Sequence, residues 1–172
     1  LGWDNKSFFD PKASRPLVYH DMLGGAGHMS VSPLLDAEGV DGLITPLDYQ
    51  ARGIGGVSQP EGIADSAVLR GDLFLAEMDM RTYTGSSGPR FFAAENDKQF
   101  AAISWRNLAT SLTHGYISYY MDVFTDWYGT QSLHGIIDRQ VQVLHQAADW
   151  RHEHVPGIAM IIDGTARRET NG

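Results

Sequence analysis

The sequence predicts an α/β fold with parallel strands. Three observations carry that reading. Apolar runs of strand length recur along the 172 residues. Segments with helical spacing of Leu, Ile, Val and Phe lie between them. Polar residues collect where the apolar runs stop. Strand and helix alternate, which is the pattern of a parallel sheet with helical crossovers. The length suits one domain, or one and a part.

Residues 1–16 carry two prolines and mixed polarity, and read as loop or incomplete structure. Pro16-Leu-Val-Tyr-His20 reads as a short strand before the turn Gly24-Gly-Ala-Gly27. Ser30 or Ser32 can cap a short helix to about Ala37, with Pro33 at a tolerated first-turn position. Asp41-Gly-Leu-Ile-Thr-Pro46 is a second strand. The connection from Leu47 to Ile63 is long and holds Gly53, Gly55, Gly56 and Pro60, which marks it as a candidate functional loop. Ala64–Leu69 supplies one or two helical turns, and Gly71 resets the chain.

Asp72-Leu-Phe-Leu-Ala-Glu77 is the clearest strand. It is apolar on both parities from Leu73 to Ala76, as for a strand covered on both faces. A Gly- and Ser-rich loop spans Thr82–Arg90. Asp97 can cap a helix through Thr113, with Phe100, Ile103, Leu108, Ala109 and Leu112 on its apolar side and Gly115 as its stop. Tyr116–Met121 is a fourth strand, closing in Asp122, and the aromatic loop Phe124–Tyr128 follows. A long helix is expected over 131–152. Val155-Pro-Gly then introduces a fifth strand, Ile158–Ile162, ending in Asp163.

Composition narrows the function. Thirteen Lys and Arg against 21 Asp and Glu give a net charge of −8. That disfavours nucleic acid and anionic membrane as partners. No apolar run approaches the ~18 residues of a membrane span. The absence of cysteine removes a disulfide scaffold, a Cys-ligated zinc site and a thiol nucleophile. Compartment stays open on this basis, with the cytoplasm favoured. Leu1, in place of Met and without a signal core, reads as an internal boundary.

The most informative feature is the chemistry at the strand ends: His20 and Asp21, then Thr45, then Glu77 with Asp79 and Arg81, then Asp122. In an α/β barrel, active-site groups occupy the C-terminal ends of the strands. A carboxylate after four apolar residues is costly to bury unless it is paired or used. Arg81, if its loop folds back, would hold Glu77 ionised as a nucleophile. Strand-end acids also cap helices or pair with a neighbouring Arg. The cluster Glu77-Met-Asp-Met-Arg81 brings a site level with that plainer role. Trp127 and Tyr128 fit either a sugar platform or simple packing.

Other signals are weaker. His20, Asp21 and His28 match no standard ligand spacing, so no metal is assigned. His152-Glu-His154 reads as a solvated helix terminus. The glycines at 53, 55 and 56 lack the strand–glycine–helix context of a dinucleotide site, and no cofactor is expected. His114 reads as a helix-end residue, with a place at the strand mouth as the other option. There is no Gly-x-Ser-x-Gly elbow.

At these residues the sequence resembles a known group. Asp41-Gly-Leu-Ile-Thr-Pro-Leu-Asp-Tyr49, Arg52-Gly-Ile-Gly-Gly56, Asp65-Ser66 and Leu73-Phe-Leu-Ala-Glu-Met-Asp-Met-Arg-Thr82 are similar to the later half of bacterial TIM-barrel glycoside hydrolases. Thr113-His-Gly-Tyr-Ile-Ser-Tyr-Tyr-Met-Asp122 and Asp126-Trp-Tyr128 extend the likeness. It is greatest to family 42 β-galactosidases and their relatives in the retaining clan. It runs from about Pro16 to Asp163, and Glu-x-Asp-x-Arg-Thr is its most specific motif.

The resemblance implies that residues 1–153 are the second half of a (β/α)8 barrel, holding strands five to eight. Residues 154–172 would then be a linker and the first strand of a following α/β domain. It implies Glu77 as the nucleophile. Asp79, Arg81, Tyr49, Arg52, Asp122, Trp127 and Tyr128 become the candidate substrate-binding residues. A carbohydrate substrate, no cofactor and a homo-oligomeric parent are expected with it. Retaining hydrolysis needs a second carboxyl group, which this clan supplies as an Asn-Glu at the fourth strand. No Asn-Glu dipeptide occurs here, so the acid/base is expected upstream of Leu1. Two other readings stay open: a non-catalytic carbohydrate-binding or assembly piece, and a metal-dependent barrel hydrolase using His20, Asp21 and Asp122.

Overall fold

A computed structural model describes residues 18–20, 35–36, 38, 40–47, 49, 51–60, 62–85, 92–122, 126–150 and 157–158. The expected helix near Ser30–Ala37, the strand Ile158–Ile162, the pair His152 and His154, and the 154–172 segment lie wholly or mostly outside these residues.

The chain is mixed α/β. Its elements are β1 (Val18–His20), β2 (Gly42–Pro46), α1 (Ala64–Arg70), β3 (Leu73–Met78), α2 (Asp97–His114), β4 (Ile117–Tyr120) and α3 (Gln131–Ala147). The strands form one sheet in the order β1-β2-β3-β4. Every pairing is parallel. Space order therefore equals chain order, with a helical crossover between β2 and β3 and another between β3 and β4.

Register sorts the side chains into two faces, because paired residues of a parallel ladder point the same way. Leu43 pairs with Phe74, Ala76 with Ser118, and Met78 with Tyr120. Leu43, Phe74, Ala76 and Met78 join one buried cluster with Ala64 and Ala67 of α1, Phe100, Ile103 and Leu108 of α2, and Leu133 and Ile136 of α3. All three helices thus contribute to the same side of the sheet. The opposite face carries Ile44, Leu75 and Ile117 in one row and Pro46, Glu77 and Tyr119 in the next. None of those six belongs to the helix-side cluster, although Pro46, Leu75 and Glu77 are buried.

The helices are set by their ends. α2 begins at Asn96, one residue before the Asp97 expected to cap it. Asn96 has extended backbone, and its side chain accepts from Gln99 N–H at 3.0 Å. Gln99 returns the contact by accepting from Glu95 N–H at 3.0 Å, a reciprocal cap. Asp97 instead accepts from Tyr83 Oη at 2.5 Å. Gly115 ends α2 in the left-handed region at φ 75°, as its position predicted. α3 stops at Ala147, short of the expected 152. β3 extends one residue past Glu77, so this carboxylate lies inside the strand rather than beyond it.

Candidate functional site

Three parallel strands bring their C-terminal ends together around Glu77. The backbone there is fixed from both sides. Leu47 N–H donates to Glu77 O at 3.3 Å, and Met121 N–H donates to Met78 O at 3.2 Å. Glu77 is 1% exposed. Its register partner on β4 is Tyr119, whose hydroxyl donates to Glu77 Oε2 at 2.5 Å. Arg81 was expected to hold this carboxylate; the hydroxyl of the adjacent strand is one group that bonds it. A short bond from a phenol fixes the rotamer of the carboxylate.

Beyond the strand the chain turns through Asp79 and Arg81. Arg52, from the long loop after β2, reaches across. Its Nη1 donates to Asp79 O at 2.5 Å and to Asp79 Oδ2 at 3.2 Å. Arg81 Nη2 lies 4.0 Å from the same Oδ2. The Arg52 guanidinium sits over the Tyr49 ring, 4.5 Å from its centroid. Burial lowers the pKa of Arg52, and the neighbouring Asp79 carboxylate opposes that shift most strongly. Tyr49, Arg52, Glu77, Asp79 and Arg81 are thus brought to one place. Tyr119 belongs with them: its pKa is raised chiefly by burial, then by Glu77, with Tyr49 and Asp79 also felt.

The remaining candidates lie under this cluster or beside it. Tyr128 is buried, and its hydroxyl donates to Met78 O at 3.2 Å and Met80 O at 2.9 Å. Its ring packs on Phe100 and Tyr120. This residue holds the main chain that follows Glu77, and its ring belongs to the core. Trp127 is also buried; the Arg81 guanidinium stands 5.7 Å from its ring centroid. Asp122 is exposed and accepts from Trp127 N–H at 3.1 Å.

Two residues flagged weakly in the sequence find other places. His114 is not at the strand mouth. Its Nδ1 lies 2.7 Å from Asp65 Oδ1, which also accepts from Tyr116 Oη at 2.5 Å, near the N-terminal end of β4. Among the described residues no group of three His, Asp or Glu could hold a metal ion. Nor is any described helix long and apolar enough to cross a membrane.

Burial raises the pKa of Tyr120 and Tyr128 above the ordinary value of 10.0, since it penalises the phenolate. The consequence is a defined alkaline limit. Below about pH 10 these tyrosines are protonated in both states, and their contribution to stability is complete. Above it the unfolded chain ionises first, so stability falls as pH rises, by up to about 1.4 kcal/mol per pH unit for each tyrosine. Tyr116, also buried, is shifted the same way by burial and by Asp65; Tyr119 is shifted likewise but is partly exposed, and adds less. Urea unfolding is expected to give a nearly constant free energy from about pH 8 to 9 and a falling one from there to about pH 11. A flat profile to pH 11 contradicts the burial of these phenols.

Comparison with known proteins finds no matching protein family, no similar curated protein and no similar solved structure.

Proposed function

We propose that this chain carries the nucleophile half of a retaining β-glycosidase site, with a galactoside-like sugar as substrate. One observation carries the reading. Glu77 is a buried carboxylate at the C-terminal end of a central parallel strand, oriented by Tyr119 and bordered by the Arg52–Asp79–Arg81 cluster. Barrel enzymes keep their reactive groups at that end of the strands.

Two features of the sheet support a barrel half over an open doubly wound sheet. Doubly wound folds reverse strand order at a switch point and place helices on both faces. Here the order runs without reversal, and the three described helices serve one face. The other face, with Ile44, Leu75 and Ile117, has the apolar character of a barrel interior.

In the proposed mechanism Glu77 attacks the anomeric carbon and displaces the leaving oxygen, which a second carboxylic acid protonates. The same second group then removes a proton from water, and the water cleaves the glycosyl ester. That second carboxyl group is not assigned to any residue of this chain. Asp79 and Arg81 are proposed to contact sugar hydroxyls or orient Glu77, and Tyr49 to offer an aromatic face.

The test is mechanism-based labelling of the full-length protein with a 2-deoxy-2-fluoro-β-galactoside. Digestion and mass spectrometry are expected to find the sugar on the peptide containing Glu77. A sugar on another carboxylate removes the assignment. Saturable galactose binding with no labelling and no turnover moves the chain to a carbohydrate-binding role.

A further inference from the structure

Arg106 lies midway along α2, half-buried, and the proposed chemistry gives it no part. Every N–H of its guanidinium is engaged. Nη1 donates to Gly53 O at 2.8 Å and to Gly56 O at 2.7 Å. Nη2 donates to Arg52 O at 2.9 Å and to Asn107 Oδ1 at 3.0 Å. Nε donates to the same Oδ1 at 3.1 Å. Four oxygens, three of them main-chain carbonyls of one loop, converge on one cation.

We propose that Arg106 is a positioning residue for the strand-end cluster: it fixes the 51–58 loop so that Arg52 reaches Asp79. Within the loop, two main-chain hydrogen bonds brace the turn. Gly56 N–H bonds back to Gly53 O at 3.2 Å, and Ser58 N–H bonds to Ala51 O at 3.3 Å. Gly56 passes so close to Ala51 that a Cβ there would stand 1.9 Å from Ala51 O. A turn this tight points its carbonyls inward, where they repel one another unless a cation sits between them. The planar five-donor fork of arginine suits that array. A lysine ammonium has three donors in a tetrahedral arrangement and cannot serve four acceptors spread around a plane. Arg52 is then held at both ends, its carbonyl by Arg106 and its guanidinium by Asp79.

The inference deepens the reading of Glu77 and rests on it for the activity readout alone. The first measurement does not need that reading. Trypsin cleaves after arginine only when the side chain and the following peptide bond are both accessible. In the wild-type chain both ends of Arg52 are engaged, so the Arg52–Gly53 bond is expected to resist. In Arg106→Ala it is expected to be cut at least about tenfold faster relative to the Arg139–Gln140 bond of α3, because cleavage follows the open population of the loop. Arg139 is exposed and lies within a helix, so its cleavage reports global unfolding. Guanidinium chloride at a low, non-denaturing concentration is expected to refill the site and restore the ratio. An unchanged ratio in Arg106→Ala overturns the proposal, as does a raised ratio that guanidinium leaves unaltered. Where Arg106→Ala unfolds globally, the ratio in Arg106→Lys decides: raised supports positioning, unchanged overturns it.

In the full-length protein, kcat/KM for an aryl β-galactoside is expected to fall about tenfold in Arg106→Ala through misplacement of the cluster, and to recover with guanidinium. A wild-type protein that hydrolyses no glycoside removes the glycosidase reading, and the cleavage ratio still judges the role of Arg106.

Discussion

Replacing Glu77 by Gln is expected to abolish glycoside turnover while leaving the protein folded. The substitution keeps the shape of the side chain and removes its nucleophilic oxygen. Tyr119 can still donate to the amide oxygen, so the contact from β4 survives in a weaker, uncharged form. The stability change is therefore expected to stay below about 2 kcal/mol, the difference between a charge-assisted and a neutral hydrogen bond. The kinetic change is expected to be far larger. Loss of the attacking group removes the covalent route, at a cost of at least about 10³-fold in kcat, or roughly 4 kcal/mol of barrier. Steady-state kinetics and thermal melting on the same preparation separate the two effects. A variant that melts normally and retains a tenth of the wild-type kcat shows that Glu77 is not the nucleophile. A small azide ion entering the space left by Glu77→Ala offers a second reading of the same point. Restored turnover with a glycosyl azide of inverted anomeric configuration places the reacting carbon beside that space.

Much of this site was legible because its residues are close in sequence to the strand that presents them. Glu77, Asp79 and Arg81 alternate along one short stretch, and the apolar run Leu73–Ala76 before them marks the strand. Arg52 was carried by the resemblance and is found on Asp79. Tyr119 was missed although its signal was present. Counting along the two strands pairs Glu77 with the third residue of β4, but register between strands is a tertiary choice that composition does not reveal. Arg106 was missed for a different reason. Its partners are main-chain oxygens some fifty positions away, and no side-chain pattern encodes a carbonyl. Trp127 and Tyr128 show the limit of reading aromatics by type. The sequence places both after a strand end, yet burial and the bonds to Met78 and Met80 make Tyr128 part of the framework beneath the site. The cap of α2 fell one residue early for a local reason. Asn96 and Asp97 can both accept from the first turn, and the extended backbone falls at Asn96 while Asp97 is engaged by Tyr83.

Replacing Asp79 by Ala is expected to destabilise the fold by about 3–5 kcal/mol, the usual cost of stripping the partner from a buried charge. The side chains of Arg52 and Asp79 are 4% and 12% exposed, so water screens their interaction poorly. Arginine cannot escape by deprotonating, because a guanidinium keeps its proton in proteins. Its Nε already lacks a hydrogen-bond partner, which leaves Nη1 and the Tyr49 ring to compensate the charge. In Asp79→Ala the backbone carbonyl of residue 79 and the ring remain, and neither carries a formal charge. The double variant Arg52→Leu/Asp79→Leu removes both ions, and is expected to be more stable than the single Asp79→Leu variant, because an apolar pair at such a site is tolerated where a lone cation is not. A urea double-mutant cycle measures this directly, with a coupling energy of at least about 2 kcal/mol as the expected result. A single variant that costs less than about 1 kcal/mol indicates that Arg52 swings to solvent. The pair would then be a surface contact, and the 51–58 loop would not depend on it. The expected outcome ties the two ends of the site together. The charge that holds the loop against β3 sits two residues from Glu77, so the fold cannot lose it without disturbing the carboxylate that the proposed reaction needs.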